Sequence, residues 1–197
     1  MNCAVATISF ARFHRADCFD QRLFLWLATA SVPMAWVGSR LPLTGAWHGV
    51  ILGLGLASAG VLLAFRRRTI AEGPLRPVRC GEALLVGGLL GLLAGSTGIG
   101  GGVFLSPWLI FRRWTSAKTA GGVAALFIVV NSAAGLVGLG ARAWVWDPVL
   151  VLALGAGIAG ALTGAYQGAQ RWSVQGFRTA LAVVLWIGAG KLLWGGH

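Results

Sequence analysis

"LAGSTGIGGGVFLSP", Leu93 to Pro107, places five glycines between residues 95 and 102 of an otherwise apolar run. Glycine costs about 1 kcal/mol relative to alanine inside a helix, so a plain spanning helix gains nothing from that density. Two paths are open to such a segment. It crosses the membrane as one broken helix, or it enters, turns at the glycines and returns to the side it came from.

The membrane itself is inferred from composition. Of the 197 residues, 57% are hydrophobic and 11% are charged, with a mean hydropathy of +0.78. Apolar runs close to the roughly 20 residues needed to cross a bilayer recur at Leu23–Val37, Trp47–Phe65, Ala83–Phe111, Ala120–Leu139, Val149–Tyr166 and Phe177–Trp194. Five read as plain spans, and Ala83–Phe111 carries the glycine break. Trp47, Trp108, Trp144, Trp146, Trp172 and Trp194 fall near span ends, where an amphipathic ring prefers the headgroup layer. The expected class is therefore an all-α polytopic membrane protein in the cell (inner) membrane, with about five full spans and one broken or re-entrant segment.

Several functions are excluded by what is present. A net charge of +11 would suit nucleic acid, but the arginines sit between apolar runs and no soluble domain is left to carry a groove. Cys3, Cys18 and Cys80 form no CxxC pair and read as free thiols, so no metal site is expected. Glu82 and Asp147 begin spans while Asp17, Asp20 and Glu72 lie in loops, which leaves no acidic proton relay within a span. His14, His48 and His197 form no catalytic arrangement, and no Walker motif is present. The sequence implies no enzyme, no cofactor and no ATP coupling. The opening "MNCAVATISFARFHR" places its apolar part before its basic part, the reverse of a secretory signal, and reads as part of a helix.

Basic residues favour the cytoplasmic ends of spans, so they test the path of the glycine segment. If it crosses, Arg12, Arg15, Arg22, Arg66–Arg68, Arg76, Arg79 and Arg142 oppose Arg40, Arg112, Arg113, Lys118, Arg171 and Arg178, nine against six. If it turns back, the count is thirteen against two, with Arg40 and Arg142 left on the far side. The charges favour a re-entrant hairpin, with Arg66–Arg68 as a topology anchor and Lys118 and Lys191 snorkelling to the surface.

A faint internal repeat also runs along the chain. "NCAVATISFAR" from Asn2 lies over "NSAAGLVGLGAR" from Asn131, "AWVGSRL" around Gly38 over "ALTGAYQ" around Gly164, and "ASAGVLL" around Gly60 over "IGAGKLL" around Gly190, at offsets of 129, 126 and 130. With the hairpin path the two units are inverted, an arrangement common in secondary transporters. The glycine segment has no counterpart in the first unit. The expected organisation is residues 1–65 as the remainder of a first repeat, 66–81 as a basic cytoplasmic linker, and 82–197 as a complete second repeat.

The segments "GLLGLLAGSTGIGGGVFLSPWLIF" and "SAKTAGGVAALFIVVNSAAGLVG" resemble the sulfite exporter TauE/SafE family, also grouped with toluene-sulfonate uptake permeases. The resemblance continues through "WDPVLVLALGAGIAGALTGAYQGAQ" and "FRTALAVVLWIGAGKLL", and "FDQRLFLWLATASVPMAWVGSRLPL" is similar to the third helix of the family's first half. The family's first glycine signature and first helix have no match here. The resemblance implies a secondary transporter of sulfite, sulfonates or other small organic anions. The alternative is a truncated chain or a half-transporter subunit, with a homo-oligomer or a complementary half as partner besides the lipid bilayer.

Broken backbone at membrane depth is tolerated where it is buried in protein or lines a wet cavity. Successive glycine amides can form an anion-attracting nest, and a half-helix beginning near Val103 would add its positive end. The expected substrate site comprises Ser96, Thr97, Gly98, Gly100, Gly101, Gly102 and Ser106, joined by Asn131 and Ser132 on the next helix. For Asn131 and Ser132 a helix-to-helix hydrogen bond is the competing reading. Gly87, Gly91 and Gly95, like Gly160, Gly164 and Gly168, fall at four-residue spacing and read as helix-packing ridges.

Overall fold

The computed structural model describes residues 2–41, 53, 56, 57, 60, 61, 74–140 and 148–194. The expected span at Trp47–Phe65 lies largely outside the described residues, as do His48, Arg66–Arg68, Glu72, Arg142, Trp144, Trp146 and Asp147. What is described is all-helical: α1 (Asn2–Arg15), α2 (Gln21–Arg40), α3 (Cys80–Thr97), α4 (Gly102–Arg112), α5 (Ala117–Leu139), α6 (Pro148–Tyr166) and α7 (Val174–Trp194). A short π-helical turn, Gln167–Arg171, follows α6. By length and composition α3 and α5 can cross a membrane.

Helix starts follow from capping chemistry. The Asp20 carboxylate accepts the Leu23 amide at 3.0 Å to open α2, and the Ser116 hydroxyl accepts the Thr119 amide at 3.1 Å to open α5. Each satisfies one of the orphan donors of a first turn. The glycine segment ends α3 and begins α4. Gly98, Gly100 and Gly101 have φ of 70°, 82° and 70°, a left-handed region that costs other residues roughly 1–2 kcal/mol.

The chain turns back at this point. Arg112, at the end of α4, places Nη2 2.8 Å from Oε2 of Glu82, in the first turn of α3. The Arg76 amide donates to the Arg113 carbonyl at 2.8 Å, so the strand of chain entering α3 lies against the residue leaving α4. As a half-exposed pair, Arg112–Glu82 contributes at most about 0.2–1 kcal/mol; its value here is geometric. The 11 residues of α4 rise about 17 Å at 1.5 Å each, well short of a hydrocarbon core of roughly 30 Å. The glycine segment is a helical hairpin whose two ends lie together at one end of the bundle.

Two helices run parallel to the hairpin's first limb. A Cβ on Gly87, Gly91 or Gly95 of α3 would strike the carbonyls of Leu27, Ser31 and Ala35 of α2 in turn, and one on Gly38 would strike the Leu92 carbonyl. That register makes α2 and α3 parallel and in backbone contact, the approach that small residues at four-residue spacing permit. At the far end of α2, Ser39 and Trp36 touch Gly138 of α5, so α5 is parallel to both. Leu27, Ala83, Leu105, Leu109, Val123 and Phe127 fill the space between α2, α3, α4 and α5.

The second ridge behaves differently. Gly168 lies under the Phe177 ring, but Gly160 and Gly164 face open space among the described residues. The expectation that all three pack against a helix is met only at Gly168.

α1 crosses α5 in the opposite direction, with Cys3 beside Val129 and Phe13 beside Gly121. α6 follows α1 in parallel, Gly157 against Val5 and Ala165 against Phe13. The helices matched by the internal repeat, α1 with the end of α5 and α2 with α6, therefore run in opposite senses, as inverted units must. One end of the bundle collects Arg12, Arg15, Arg22, Arg76, Arg79, Arg112, Arg113, Lys118, Arg171 and Arg178, while Arg40 and Lys191 lie at the other.

Two measurements check this architecture. In sealed vesicles, an impermeant thiol reagent labels Cys80 and an engineered Arg113→Cys from the same side. Gly91→Ala, whose methyl meets the Ser31 backbone, lowers the thermal midpoint in detergent by an overpacking cost of about 1–3 kcal/mol. Gly88→Ala, whose methyl would meet Ala30 and Met34 at an ordinary 3.8 Å, does not.

Candidate functional site

The hairpin tip is pressed against the middle of α5. A Cβ on Gly102 would fall 2.7 Å from the Ala124 carbonyl and 2.5 Å from Ile128, and one on Gly100 would fall 2.9 Å from Ile128 and 3.2 Å from the Ser132 hydroxyl. On its other side, Gly101 meets the Leu90 carbonyl and Phe127. Glycine is required at this tip by both the left-handed backbone and the lack of room.

Next to the tip is a cavity of about 260 Å³. Its wall is formed by Asn2 and Cys3 of α1, Gly95 and Gly98 at the end of α3, and Asn131, Ser132 and Gly135 of α5. The Asn2 side-chain amide donates to the Gly98 carbonyl at 2.9 Å, tying the start of α1 to the cap of α3. Gly135 is buried, yet a Cβ there would meet nothing within 4 Å, so its missing side chain contributes to the open space.

Asn131 is the chemical centre of this wall. Only 1% of it is exposed, and neither its Oδ1 nor its Nδ2 has a hydrogen-bond partner; the Ser132 hydroxyl is unpartnered as well. A buried polar group left unpaired costs roughly 1–3 kcal/mol, and such groups in folded proteins are nearly always satisfied by protein or ordered water. The buried, unpaired carboxamide therefore calls for a polar partner that the described residues do not supply, and the residue that carries it stands at the wall of this cavity. The competing reading, a hydrogen bond from Asn131 to another helix, is not what the described residues show.

The tip has further donors. The Gly98 amide closes α3 on Ala94, the Ile99 amide reaches the Thr97 hydroxyl at 3.3 Å, and the Gly102 amide folds onto Gly100. The amides of Gly100, Gly101 and Val103 meet no acceptor among the described residues. Together with the N-terminal end of α4 they carry a partial positive charge.

Of the nine residues expected from sequence, the structure brings Gly98, Asn131 and Ser132 to the cavity. Gly100, Gly101 and Gly102 build the turn without lining it. The three hydroxyls are engaged within their own helices. Ser96 and Thr97 both donate to the Leu93 carbonyl, at 3.2 and 2.6 Å, and Ser106 donates to Gly102 at 3.2 Å. Asn2, Cys3 and Gly135 were not among the expected residues. The repeat that lays Asn2 over Asn131 was the available signal for the first of them, since both side chains meet at this cavity.

The turn makes a graded stability prediction. Gly98→Ala meets no atom and pays only the left-handed backbone, about 1–2 kcal/mol. Gly98→Asn costs less, because asparagine tolerates that region, and Gly100→Ala costs more, because its methyl also meets Ile128. Thermal melts of the three variants in detergent check the order.

Comparison with known proteins gives a consistent result. The family model described as Sulfite exporter TauE/SafE matches residues 1–192. The protein named "Probable membrane transporter protein y4hK" of Sinorhizobium fredii (strain NBRC 101917 / NGR234) is 29% identical over 197 residues, covering 98% of this chain and 80% of the relative. No solved structure matches.

Proposed function

The chain belongs to the sulfite exporter TauE/SafE family, and from that premise we propose that it is a secondary transporter carrying sulfite, sulfonates or other small organic anions by alternating access. The observation that carries this reading is Asn131, buried to 1% exposure with both amide atoms unpartnered at the wall of a 260 Å³ cavity beside a re-entrant glycine tip. Discontinuous helices meeting at membrane depth are a recurrent way to build a transport site.

In this proposal Asn131 and Ser132 hold the solute's oxygens, Gly98 and Gly135 keep the space open, and the free tip amides add positive potential. Ser96, Thr97, Ser106, Gly100, Gly101 and Gly102 support the site as its frame. The protein sits in the cell membrane with its basic end facing the cytoplasm, and residues 82–197 form the unit that carries the hairpin. The relative's printed name, a probable membrane transporter, supports transport and says nothing of the solute.

Gly135→Leu is the sharpest test, since the position lines the cavity and a Cβ there meets nothing within 4 Å. In sealed proteoliposomes it abolishes sulfite and sulfonate uptake while the folded yield and thermal midpoint stay near wild type. Asn131→Leu removes the solute's partner and lowers uptake at least tenfold. Uptake by both variants equal to wild type would remove the cavity from the transport path.

A further inference from the structure

The cavity at the hairpin tip is lined by neutral groups, so an anion held there needs a compensating positive charge from elsewhere. Arg178, near the start of α7, supplies an unusual one. Its exposure is 6%, and neither Nε nor Nη2 has a hydrogen-bond partner. It makes no ion pair among the described residues, whose carboxylates are the exposed Asp17, Asp20, which caps α2, and Glu82, which is taken by Arg112. The other cations of this end have other company: Arg12 and Arg171 lie over the Tyr166 ring, and Arg22 over Trp26.

Position excludes a simple surface anchor. Arg178, Ala182, Leu185 and Ala189 are all buried and recur at helical spacing, so Arg178 lies on the face of α7 turned into the bundle. Its neighbour Phe177 packs edge-on against Phe13 at 6.0 Å between centroids and reaches over Gly121 of α5. That fixes Arg178 little more than one turn inside the basic end. Asn131 lies ten residues farther along α5 than Gly121, about 15 Å deeper.

A guanidinium stays protonated in any protein environment, so it cannot relieve its burial by losing charge. Its buried donors call for an acceptor, and an anion is the acceptor that also offsets the charge. Its planar fork of N–H donors matches two oxygens on one centre, which is the geometry of a sulfonate, sulfite or carboxylate group. We propose that Arg178 is an anion-binding residue of the transport route, holding an oxyanion by Nε and Nη2 at the basic end before or after its passage to the Asn131 cavity. This rests on the transport reading above and adds to it the site that supplies the countercharge. A phospholipid headgroup phosphate has the same chemistry and is the rival occupant.

The test uses the full chain, purified and placed either in detergent or in vesicles of neutral phosphatidylcholine, with sulfite and methanesulfonate as probes. Wild type gains thermal midpoint as either anion is added, and Arg178→Gln requires at least tenfold more anion for the same gain. KM for uptake rises by a similar factor. Arg178→Lys, which keeps the charge and loses the fork, falls between the two and serves if the glutamine variant does not fold. Asn131→Leu lowers uptake and still shows the part of the anion-dependent stabilisation that Arg178→Gln removes, because the two residues hold the anion at different depths. Anion dependence equal to wild type in Arg178→Gln, or in Arg178→Lys where that alone folds, overturns the assignment. So does stabilisation by anionic phospholipid with none by sulfite or methanesulfonate. Absence of uptake by wild type for every anion would sink the transport reading, while anion stabilisation lost in Arg178→Gln would leave Arg178 as a binding residue.

Discussion

A polypeptide that reverses direction inside a membrane has to account for every peptide group it exposes there, because lipid offers neither donor nor acceptor. That constraint organises this molecule. The hairpin meets it partly by conformation, since left-handed glycines at 98, 100 and 101 let the chain close α3 on Ala94 and fold Gly102 back on Gly100. It meets it partly by burial, with the tip enclosed between Leu90, Phe127 and Ile128. Among the polar atoms left unpaired, three tip amides, the Asn131 carboxamide and the Ser132 hydroxyl belong to the hairpin and the helix it touches, while Ser31 and Arg178 lie elsewhere. Of these, only Asn131 and Ser132 belong to residues that line the cavity beside the tip.

The same requirement propagates outward through packing. A tip that must be covered on all sides needs neighbours close enough to exclude lipid, and close approach needs small residues. α3 meets α2 through Gly87, Gly91 and Gly95, and α5 meets the tip through Ala124, with Gly102 in contact with its carbonyl. In a bilayer, where lipid tails are as apolar as leucine, such contacts derive their strength from dispersion and shape and not from expelling water. This explains why the largest buried cluster lies around the hairpin, while Gly160 and Gly164 of α6 meet no atom among the described residues.

Much of this was legible from residues alone, because it is governed by local rules. Charge counting identified the return of the hairpin, and the structure explains why it succeeded: Arg112 and Arg113 belong beside Glu82 and Arg76. Four-residue spacing identified the α2–α3 ridge but could not say which of two such ridges has a partner, since that depends on a second surface. Three of the expected hydroxyls do not line the cavity, and the reason is definable. Ser96, Thr97 and Ser106 sit in helices, where a hydroxyl readily bonds the carbonyl three or four residues back, and no composition signal separates that from a substrate contact. Gly135 and Arg178 escaped notice because their meaning is entirely tertiary. One is a side chain that is missing where space is needed, and the other is a charge that a count of basic residues assigns to a surface.

Inversion gives the cavity its mechanical significance under the proposed transport reading. Asn2 and Asn131 occupy matched places in helices of opposite direction, and both reach the hairpin's end, Asn2 through its bond to the Gly98 carbonyl. A site on the line between two inverted units can face either side by small relative movement of those units, without carrying the solute across a fixed barrier. The Asn2–Gly98 bond then has a defined role, because it couples α1 to the tip and must lengthen or break when α1 and α3 shift against each other. A single neutral hydrogen bond contributes about 0.5–1.5 kcal/mol, which is weak enough to exchange during transport and strong enough to bias which side is open. The close α2–α3 interface, locked backbone to backbone, is poorly suited to slide.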